Sequence, residues 1–169
     1  AKRIHSIANN CVANNSDGID LDAHSIDCTA LFNTCTGNKR HGVFVEEAIS
    51  HNIVFGNQLN ANHQAGVHVW NEEVVGNTGP NLIAANECKG NRRGVSVGGR
   101  AMDKTAHGNF FFNNICRENR LNGVWDGNTK ATGNYFSQNI VMHNREREIA
   151  TSSGAEAVYF DTGVKLTGE

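Results

Sequence analysis

A glycine-led pattern recurs every 24 to 29 residues over most of this chain, and it restricts the possible folds more than any other feature. In each copy a small residue, Gly in all but the last, comes before an alternation of aliphatic residues with polar or aromatic ones. A short β-strand with one buried face has this pattern. The copies are Asp17-Gly-Ile-Asp-Leu-Asp-Ala-His24, His41-Gly-Val-Phe-Val-Glu-Glu47, Gly66-Val-His-Val-Trp70, Gly94-Val-Ser-Val-Gly98, Gly123-Val-Trp-Asp126 and Ala157-Val-Tyr-Phe160. A period of this length indicates a repeat architecture.

Two columns of asparagine keep the same frame. Their members are Asn9, Asn33, Asn57, Asn86, Asn114 and Asn139, and, five residues further on, Asn14, Asn38, Asn62, Asn91, Asn119 and Asn144. Asn tolerates the left-handed backbone conformation and bonds to its own main chain, so we predict that the chain turns at these positions. Stacked Asn side chains also bond to one another along a ladder.

Further short apolar segments lie between the Asn columns and the Gly strands, for example Ile53-Val-Phe55 and Phe110-Phe-Phe112. No segment has helical periodicity. We therefore predict an all-β fold, a right-handed parallel β-helix of about six coils with three short strands per coil, stacked about 4.8 Å apart. In this pattern the chain resembles the pectate-lyase-like β-helix superfamily of carbohydrate-active proteins. A β-sandwich or barrel is the structural alternative, and the same-frame columns disfavour it.

Residues 1–169 are expected to form a single parallel β-helix domain. Because uncapped strand edges invite further pairing, we expect this domain to be a segment of a longer β-helix. Otherwise a partner, or a second copy in a homo-oligomer, would cover its end coils.

Composition limits the classes of molecule that the protein is expected to bind. The formal net charge is -2 and there is no basic stripe, so no nucleic-acid partner is expected. No apolar run reaches the length of a membrane span, so we expect no membrane partner either. The resemblance to carbohydrate-active proteins implies a polysaccharide or oligosaccharide partner and an extracellular or secreted location.

Four of the five cysteines share the frame Asn-x-Cys-x-x-Asn: Cys11, Cys35, Cys88 and Cys116. Leu59 and Val141 fill the same frame in two other repeats, so the column is apolar and buried. The pattern is that of reduced, stacked thiols, with a bridge between Cys11 and Cys35 or between Cys88 and Cys116 as the alternative. Cys28 lies outside this column.

Alternation assigns the two sides of the Gly strands. The predicted inward positions are Ile19, Val43, Val67, Val95, Val124 and Val158, then Leu21, Val45, Val69, Val97 and Phe160, with Asp126 as an exception. The predicted outward columns are Asp20, Phe44, His68, Ser96, Trp125 and Tyr159, then Asp22, Glu46, Trp70, Gly98, Gly127 and Asp161. Insertions at Asn71–Pro80 and Gly99–Gly108 follow Gly strands and are predicted to wall a groove. Arg145–Gly154 is predicted to be a solvated loop.

The outward face carries the candidate catalytic residues. Asp22 and Glu46 are expected one coil apart, near the roughly 5 Å of a retaining glycosidase pair. Asp20 and Glu46 are diagonal, on the order of 8 Å between Cα atoms, which suits the inverting range. Close carboxylates raise one another's pKa and so provide a proton donor. His68 is the candidate general acid or base. The alternative is an acidic ladder that holds a cation or faces water.

Candidate substrate-binding residues surround this pair. Phe44, Trp70 and Trp125 are predicted platforms for sugar rings, unless they only pack under the inserted loops. Arg100 is a candidate to bind an acidic sugar. Glu47 replaces Glu46 if the strand ends one residue early, and His24 lies at the strand edge beside the carboxylates.

Three families share motifs with this region. Asn15-Ser-Asp-Gly-Ile-Asp20 resembles the Asn-Thr-Asp-Gly-Ile-Asp segment of polygalacturonase-like hydrolases, although that family's later motifs have no counterpart here. Asp17-Gly-Ile-Asp-Leu-Asp-Ala-His24 resembles the Asp-Gly-Phe-Asp-Pro-His segment of alginate C5-epimerase modules. The acidic cluster Asp20, Asp22 and Glu46 is similar in kind to that of calcium-dependent pectate lyases.

These features favour a polysaccharide-cleaving glycoside hydrolase that works with paired carboxylates and needs no metal or other cofactor. A polysaccharide lyase or uronate C5-epimerase is the first alternative, and Ca²⁺ would then be its cofactor. The second alternative is a non-catalytic β-helix that binds glycan or serves a structural role.

Overall fold

The computed structural model describes residues 2–22, 24–47, 49–71, 78–99, 106–127, 133–151 and 159–160. Within these ranges the chain forms only β-strands, turns and bends. No helix that could cross a membrane occurs among them. The prediction of an all-β fold without helix is confirmed for this part of the chain.

The strands form three parallel sheets, so each turn of the chain contributes one strand to each sheet. The first sheet contains β1 (His5–Ile7), β4 (Thr29–Leu31), β7 (Ile53–Phe55), β10 (Leu82–Ala84), β13 (Phe110–Phe112), β16 (Tyr135–Ser137) and β19 (Tyr159–Phe160). The second contains β2 (Asn10–Val12), β5 (Thr34–Thr36), β8 (Gln58–Asn60), β11 (Glu87–Lys89), β14 (Ile115–Arg117) and β17 (Ile140–Met142). The third contains β3 (Ile19–Leu21), β6 (Val43–Glu46), β9 (Ala65–Asn71), β12 (Arg93–Gly99), β15 (Asn122–Asp126) and β18 (Arg147–Thr151). This is the predicted parallel solenoid with three strands per coil.

The third sheet is built from the glycine-led strands, except at its last member. Val43 pairs with Val67, Val95 with Val124, and Val124 with Ile149. Part of the segment predicted as a solvated loop is therefore strand β18, whose Ile149 packs against the core, while residues 152–154 lie outside the described residues. The Ala157-Val-Tyr-Phe160 copy was placed wrongly, because Tyr159 and Phe160 pair with β16 of the first sheet.

Asn ladders bind the coils together at the turns. In both predicted columns, each side-chain oxygen accepts bonds from the backbone N–H and the side-chain amide of the Asn one coil earlier. Asn57 Oδ1, for example, accepts them from Asn33 at 2.8 and 3.0 Å. The side-chain amide of Asn57 also donates to the carbonyl of Ala30. These buried amides are satisfied through contacts that repeat from coil to coil.

The left-handed residue is not the ladder Asn but the residue before it. Ala8, Phe32, Ala61 and Gln138 all have φ between 53° and 55° and directly precede a ladder Asn. A third ladder, absent from the sequence analysis, runs through Asn52, Asn81, Asn109 and Asn134. Cys28 occupies its first position and donates its backbone N–H to Asn52.

Glycines face the cysteine column across the interior. An added methyl group would lie 2.8 Å from Cβ of Cys35 at Gly18, 2.6 Å from Sγ of Cys88 at Gly66, and 2.7 Å from Cβ of Cys116 at Gly94. At these three strands the leading Gly is therefore required by close packing at this corner. All five cysteines are free thiols. Cys35, Cys88 and Cys116 are fully buried, as predicted for an apolar column.

Candidate functional site

The outward face of the third sheet brings the predicted site residues together. Register places Asp20 beside Phe44, Phe44 beside His68, His68 beside Ser96, and Ser96 beside Trp125. In the neighbouring column Glu46 lies beside Trp70, and Trp70 beside Gly98. Arg100 and most of the two insertions predicted to wall the groove lie outside the described residues.

A third column of side chains borders this face, and the sequence analysis missed most of it. Because the leading glycines turn toward the interior, the residue before each of them sits over the outward face. Asp17, His41 and Arg93 occupy such positions. The signal was present in the sequence, since these polar residues directly precede Gly18, Gly42 and Gly94. Strict alternation from the valines does not predict this position, because it would turn the residue before each Gly toward the interior.

Three carboxyl groups form one cluster, the carboxylate cluster of Asp20, Asp22 and Glu46. One oxygen from each lies within 4.8 Å of the others. Loss of water raises the pKa of Glu46 to about 7, with Asp20 and Asp22 adding to the effect. The same cause, with Asp17 and Asp22, raises the pKa of Asp20 to about 6, although Asp20 as a residue is exposed. Both groups exchange protons near neutral pH.

The remaining charged residues around the cluster have different surroundings. Arg40 donates to Asp17 at 3.1 Å, and the Asp17 side chain is almost fully buried. Glu47 is half-buried and has a φ of 63°, so the strand turns away from the groove after Glu46. His24 is exposed and donates its backbone N–H to the carbonyl of Glu47. Glu46 therefore faces the groove from the strand, whereas Glu47 belongs to the turn that follows.

Phe44 differs from its prediction as a sugar platform. Only 2% of the residue is exposed. The guanidinium of Arg40 covers its ring at 4.7 Å, and His68 stacks on it at 5.5 Å between centroids. The ring of His41 lies 4.8 Å away and also stacks on His68, at 4.6 Å. Phe44 thus supports the floor of the groove instead of offering a free face.

The two stacked histidines are neutral and have opposite tautomers. Burial lowers the pKa of His41 to about 2 and that of His68 to about 3. His41 Nδ1 accepts the backbone N–H of Ala65, which leaves its proton on Nε2. His68 Nδ1 contacts the carbonyl and the hydroxyl of Ser96 at 3.3 and 2.6 Å, so it carries the proton and its Nε2 keeps the lone pair. A pKa this low makes His68 a hydrogen-bonding group and a weak base.

Trp70 and Trp125 are half-buried and enclose a second part of the groove. An added methyl group at Gly98 would lie 2.7 Å from Cζ3 of Trp70 and 3.5 Å from Cζ3 of Trp125. The two indoles therefore approach each other over a glycine floor. The cavity between them, called here the tryptophan cavity, has a volume of about 170 Å³. An adjoining pocket of about 270 Å³ is lined by Arg40, His41, Phe44, Glu46, His68 and Trp70.

The fold and the groove define the class of this protein as a right-handed parallel β-helix of the pectate-lyase-like kind, in agreement with the sequence prediction. The chain belongs to the NosD family, described as periplasmic copper-binding protein, whose profile matches residues 2–140. No curated protein matches the sequence.

Solved structures share the fold at low identity. A variant of the periplasmic alginate epimerase AlgG superposes with a TM-score of 0.78 and 17% identity, covering 98% of this chain and 40% of that one. AlgG without that substitution gives a TM-score of 0.75 at 17% identity, covering 97% of this chain and 40% of its own. Similarity at this identity shows a common fold alone. The chain spans 40% of the length of these structures.

Proposed function

We propose that this protein is a carbohydrate-active enzyme of the uronate epimerase or lyase type, acting on a chain of uronic acid units in the groove of the third sheet. The observation that carries the proposal is Glu46. Its pKa of about 7 suits proton transfer at neutral pH, and it lines a pocket with Arg40 and Trp70. The alginate epimerase structures with the same fold support this choice over the glycoside hydrolase favoured by the sequence.

Epimerases and lyases share one step, removal of the proton at C5 of a uronate. In the proposed reaction ionised Glu46 takes that proton, and the electron pair moves toward the sugar carboxylate. Arg40, whose side chain is 46% exposed, pairs with that carboxylate. An epimerase then returns a proton to the opposite face of C5. A lyase instead expels the oxygen at C4, which leaves a double bond between C4 and C5.

A glycoside hydrolase is the second candidate, and the spacing of the carboxyl groups favours one version of it. Oxygens of Asp20, Asp22 and Glu46 lie within 4.8 Å of one another. That spacing is close to the roughly 5–5.5 Å of a retaining pair and shorter than the roughly 6.5–9.5 Å of an inverting pair. Glu46 would then be the acid, and Asp22 or Asp20 the nucleophile.

The described residues do not fit the copper named in the family description. Copper prefers imidazole and sulfur ligands. All histidines and cysteines lie in the described ranges, yet the one group there with three convergent ligands is the carboxylate cluster. His41 and His68 stack face to face, and the column thiols are enclosed by the coils. Oxygen ligands alone suit a hard cation, so Ca²⁺ is the cofactor that we propose if the enzyme is a lyase.

We also infer that the protein acts outside the cytoplasm. The family description and the AlgG structures both name the periplasm. The protein would encounter a long uronate polymer in the periplasm or outside the cell.

Deuterium at C5 tests the return of a proton by an epimerase, and an unsaturated product tests a lyase, which leaves no hydrogen at C5. The protein is incubated in D₂O with alginate and, separately, with polygalacturonate, and deuterium at C5 is followed by NMR. Ultraviolet absorbance of an unsaturated product identifies a lyase, and a changed ratio of C5 epimers identifies an epimerase. Glu46→Gln should abolish deuterium uptake, unsaturation and any change in epimer ratio. Glu118→Gln, which removes an exposed carboxylate in the turn after β14, should retain the signals of the parent protein. New reducing ends without deuterium or unsaturation would instead establish a hydrolase.

A further inference from the structure

The tryptophan cavity adjoins the pocket that contains Glu46 and shares His41, His68 and Trp70 with it, but the cavity has its own chemistry. His68 and Ser96 lie on its floor, and Trp70 and Trp125 form its walls. His41 and Arg93 close the edge where the strands begin. The aromatic walls and the single arginine determine what this cavity can bind.

Arg93 is a half-buried cation whose pKa is lowered by burial and by Arg92, with the charge of Glu146 partly offsetting them. Its guanidinium lies over the ring of Trp125 at 4.1 Å, and its buried Nε has no hydrogen-bond partner. Among the described residues, no carboxylate lies within ion-pair distance of Arg93. Arg40 differs, because it pairs with Asp17, and so does Arg117, which pairs with Glu87 and Glu118. A half-buried cation that lacks an ion-pair partner is costly, and an anionic ligand in the cavity would reduce that cost.

The other polar groups of the cavity carry no charge that would compete with Arg93. Burial keeps both His41 and His68 neutral, as their lowered pKa values indicate. His41 presents an Nε2–H donor by its tautomer. Arginine binds a planar carboxylate through two parallel hydrogen bonds. The indole faces provide the apolar surface that a sugar ring prefers.

The position of Arg93 fixes which sugar unit it meets. Arg93 belongs to β12, and Glu46 belongs to β6, two strands away in the same sheet. The two residues are therefore roughly 10 Å apart along the stack. A carboxylate held by Arg93 belongs to a different sugar unit from the one that reacts at Glu46.

We propose that the tryptophan cavity is a carboxylate-binding subsite in which Arg93 holds the acid group of a uronate and Trp70 and Trp125 hold its ring. The inference rests on the proposed function, since it names the substrate class of the same groove. It adds a site that determines specificity away from the reacting unit.

Intrinsic fluorescence gives a direct test, because Trp70 and Trp125 are the only two tryptophans in the chain. The protein is titrated with a tetramer of 1,4-linked uronic acid units and with the same tetramer after reduction of its carboxylates to alcohols. The acidic tetramer should change the fluorescence, and the reduced one should bind roughly tenfold or more weakly. Arg93→Gln should remove this difference, and Arg93→Lys should retain part of it.

Arg120→Gln is the matched control, because it removes the same charge. Arg120 is exposed and donates to the backbone carbonyls of Asn62 and His63. Equal weakening by Arg93→Gln and Arg120→Gln would overturn the subsite, as would equal affinity for the two tetramers. Competition by inorganic sulfate or phosphate at concentrations where a uronate monomer competes would indicate a general anion site and overturn the sugar assignment. Thermal melts of each variant confirm folding.

Product analysis keeps this inference distinct from the proposed function. The Glu46→Gln protein should bind the acidic tetramer with the dependence on Arg93 intact and release no product. Binding that depends on Arg93 without turnover by the parent protein would contradict the proposed function alone. Turnover that is unaffected by Arg93→Gln at all substrate concentrations would contradict the subsite alone.

Discussion

The carboxylate cluster and the tryptophan cavity lie on the same sheet face and differ in the sign of their charged groups. In the cluster, burial first and the neighbouring carboxylates second raise the pKa of Asp20 to about 6 and that of Glu46 to about 7. In the cavity, burial keeps the histidines neutral, and Arg93 has no ion-pair partner among the described residues. Burial therefore prepares one end of the groove for proton transfer and the other for binding an acid.

The largest expected effect separates the two regions by kinetics. Glu46→Gln should lower kcat by roughly 10²–10⁴-fold, because it removes the proton-transfer group, while affinity for an oligouronate stays the same. Arg93→Gln should raise KM roughly tenfold and leave kcat at saturation unchanged, because its contact is equal in ground and transition states. Steady-state kinetics on an acidic tetramer measure both values. If Arg93→Gln lowered kcat as much as Glu46→Gln does, the two regions would have to be parts of one catalytic site.

A second substitution tests the close packing of Trp70 over Gly98 beside the tryptophan cavity. Gly98→Ala places a methyl group 2.7 Å from the ring of Trp70, which must then move. We expect a destabilisation of about 1–3 kcal/mol and a shifted fluorescence spectrum. The double variant Gly98→Ala, Trp70→Phe should recover part of the stability, because the smaller ring leaves room. Denaturant unfolding gives the free energies, and failure of Trp70→Phe to relieve the loss would show that the contact lies elsewhere.

The pH dependence of stability should differ in sign between the regions. The pKa values of Asp20 and Glu46 are raised in the folded chain from 3.8 and 4.5 to about 6 and about 7. The folded state therefore holds these protons more tightly, and its stability falls as the pH rises from about 4 to about 7. His41 and His68, with lowered pKa values, make stability fall as the pH drops below about 6.5.

Thermal melts of Asp20→Asn and Glu46→Gln check the first of these slopes. Each variant should raise Tm at pH 8, on the order of 2–4 °C, and change it little at pH 4. An increase of the same size at both pH values would mean that the substitutions act through packing and not through charge.

The smallest effect expected is that of a hard cation on the carboxylate cluster. Ca²⁺ should raise Tm by a few degrees at pH 8, where Asp20 and Glu46 are ionised, and less at pH 5, where protons compete at these two groups. EDTA should reverse the shift, and the double variant Asp22→Asn, Glu46→Gln should abolish it. The Arg93→Gln protein should respond as the parent does, and a Ca²⁺ effect that needs Arg93 would contradict this assignment.

The sequence predicted much of the fold because its columns report directly on stacked positions. The valines of β6, β9, β12 and β15 and two of the three Asn ladders followed from spacing alone. The third ladder was missed because Cys28 replaces its first Asn, and the last member of the third sheet was missed because charged residues around Ile149 hide its alternation. Such local exceptions cannot be recognised from the repeating pattern of the sequence.

The candidate site was less predictable, because it depends on which way side chains turn at a corner. Asp20, Glu46, Trp70 and Trp125 were assigned to the groove from alternation. Arg93 was not, because the residue before a leading Gly changes side when that Gly turns inward. Arg40 was not, because its long side chain reaches Asp17 and Phe44 from outside the strand. The burial of Phe44 also depends on a neighbour, Arg40, whose reach no spacing rule provides.

The glycines that face the thiols make cysteine labelling a record of the order in which the coils separate. Because Gly18, Gly66 and Gly94 leave no space beside Cys35, Cys88 and Cys116, an alkylating reagent reaches those sulfurs only after adjacent coils separate. Cys11 is partly exposed in the folded chain. In a solenoid each coil contacts only its neighbours, so the order in which the thiols are labelled records the end from which the chain unwinds.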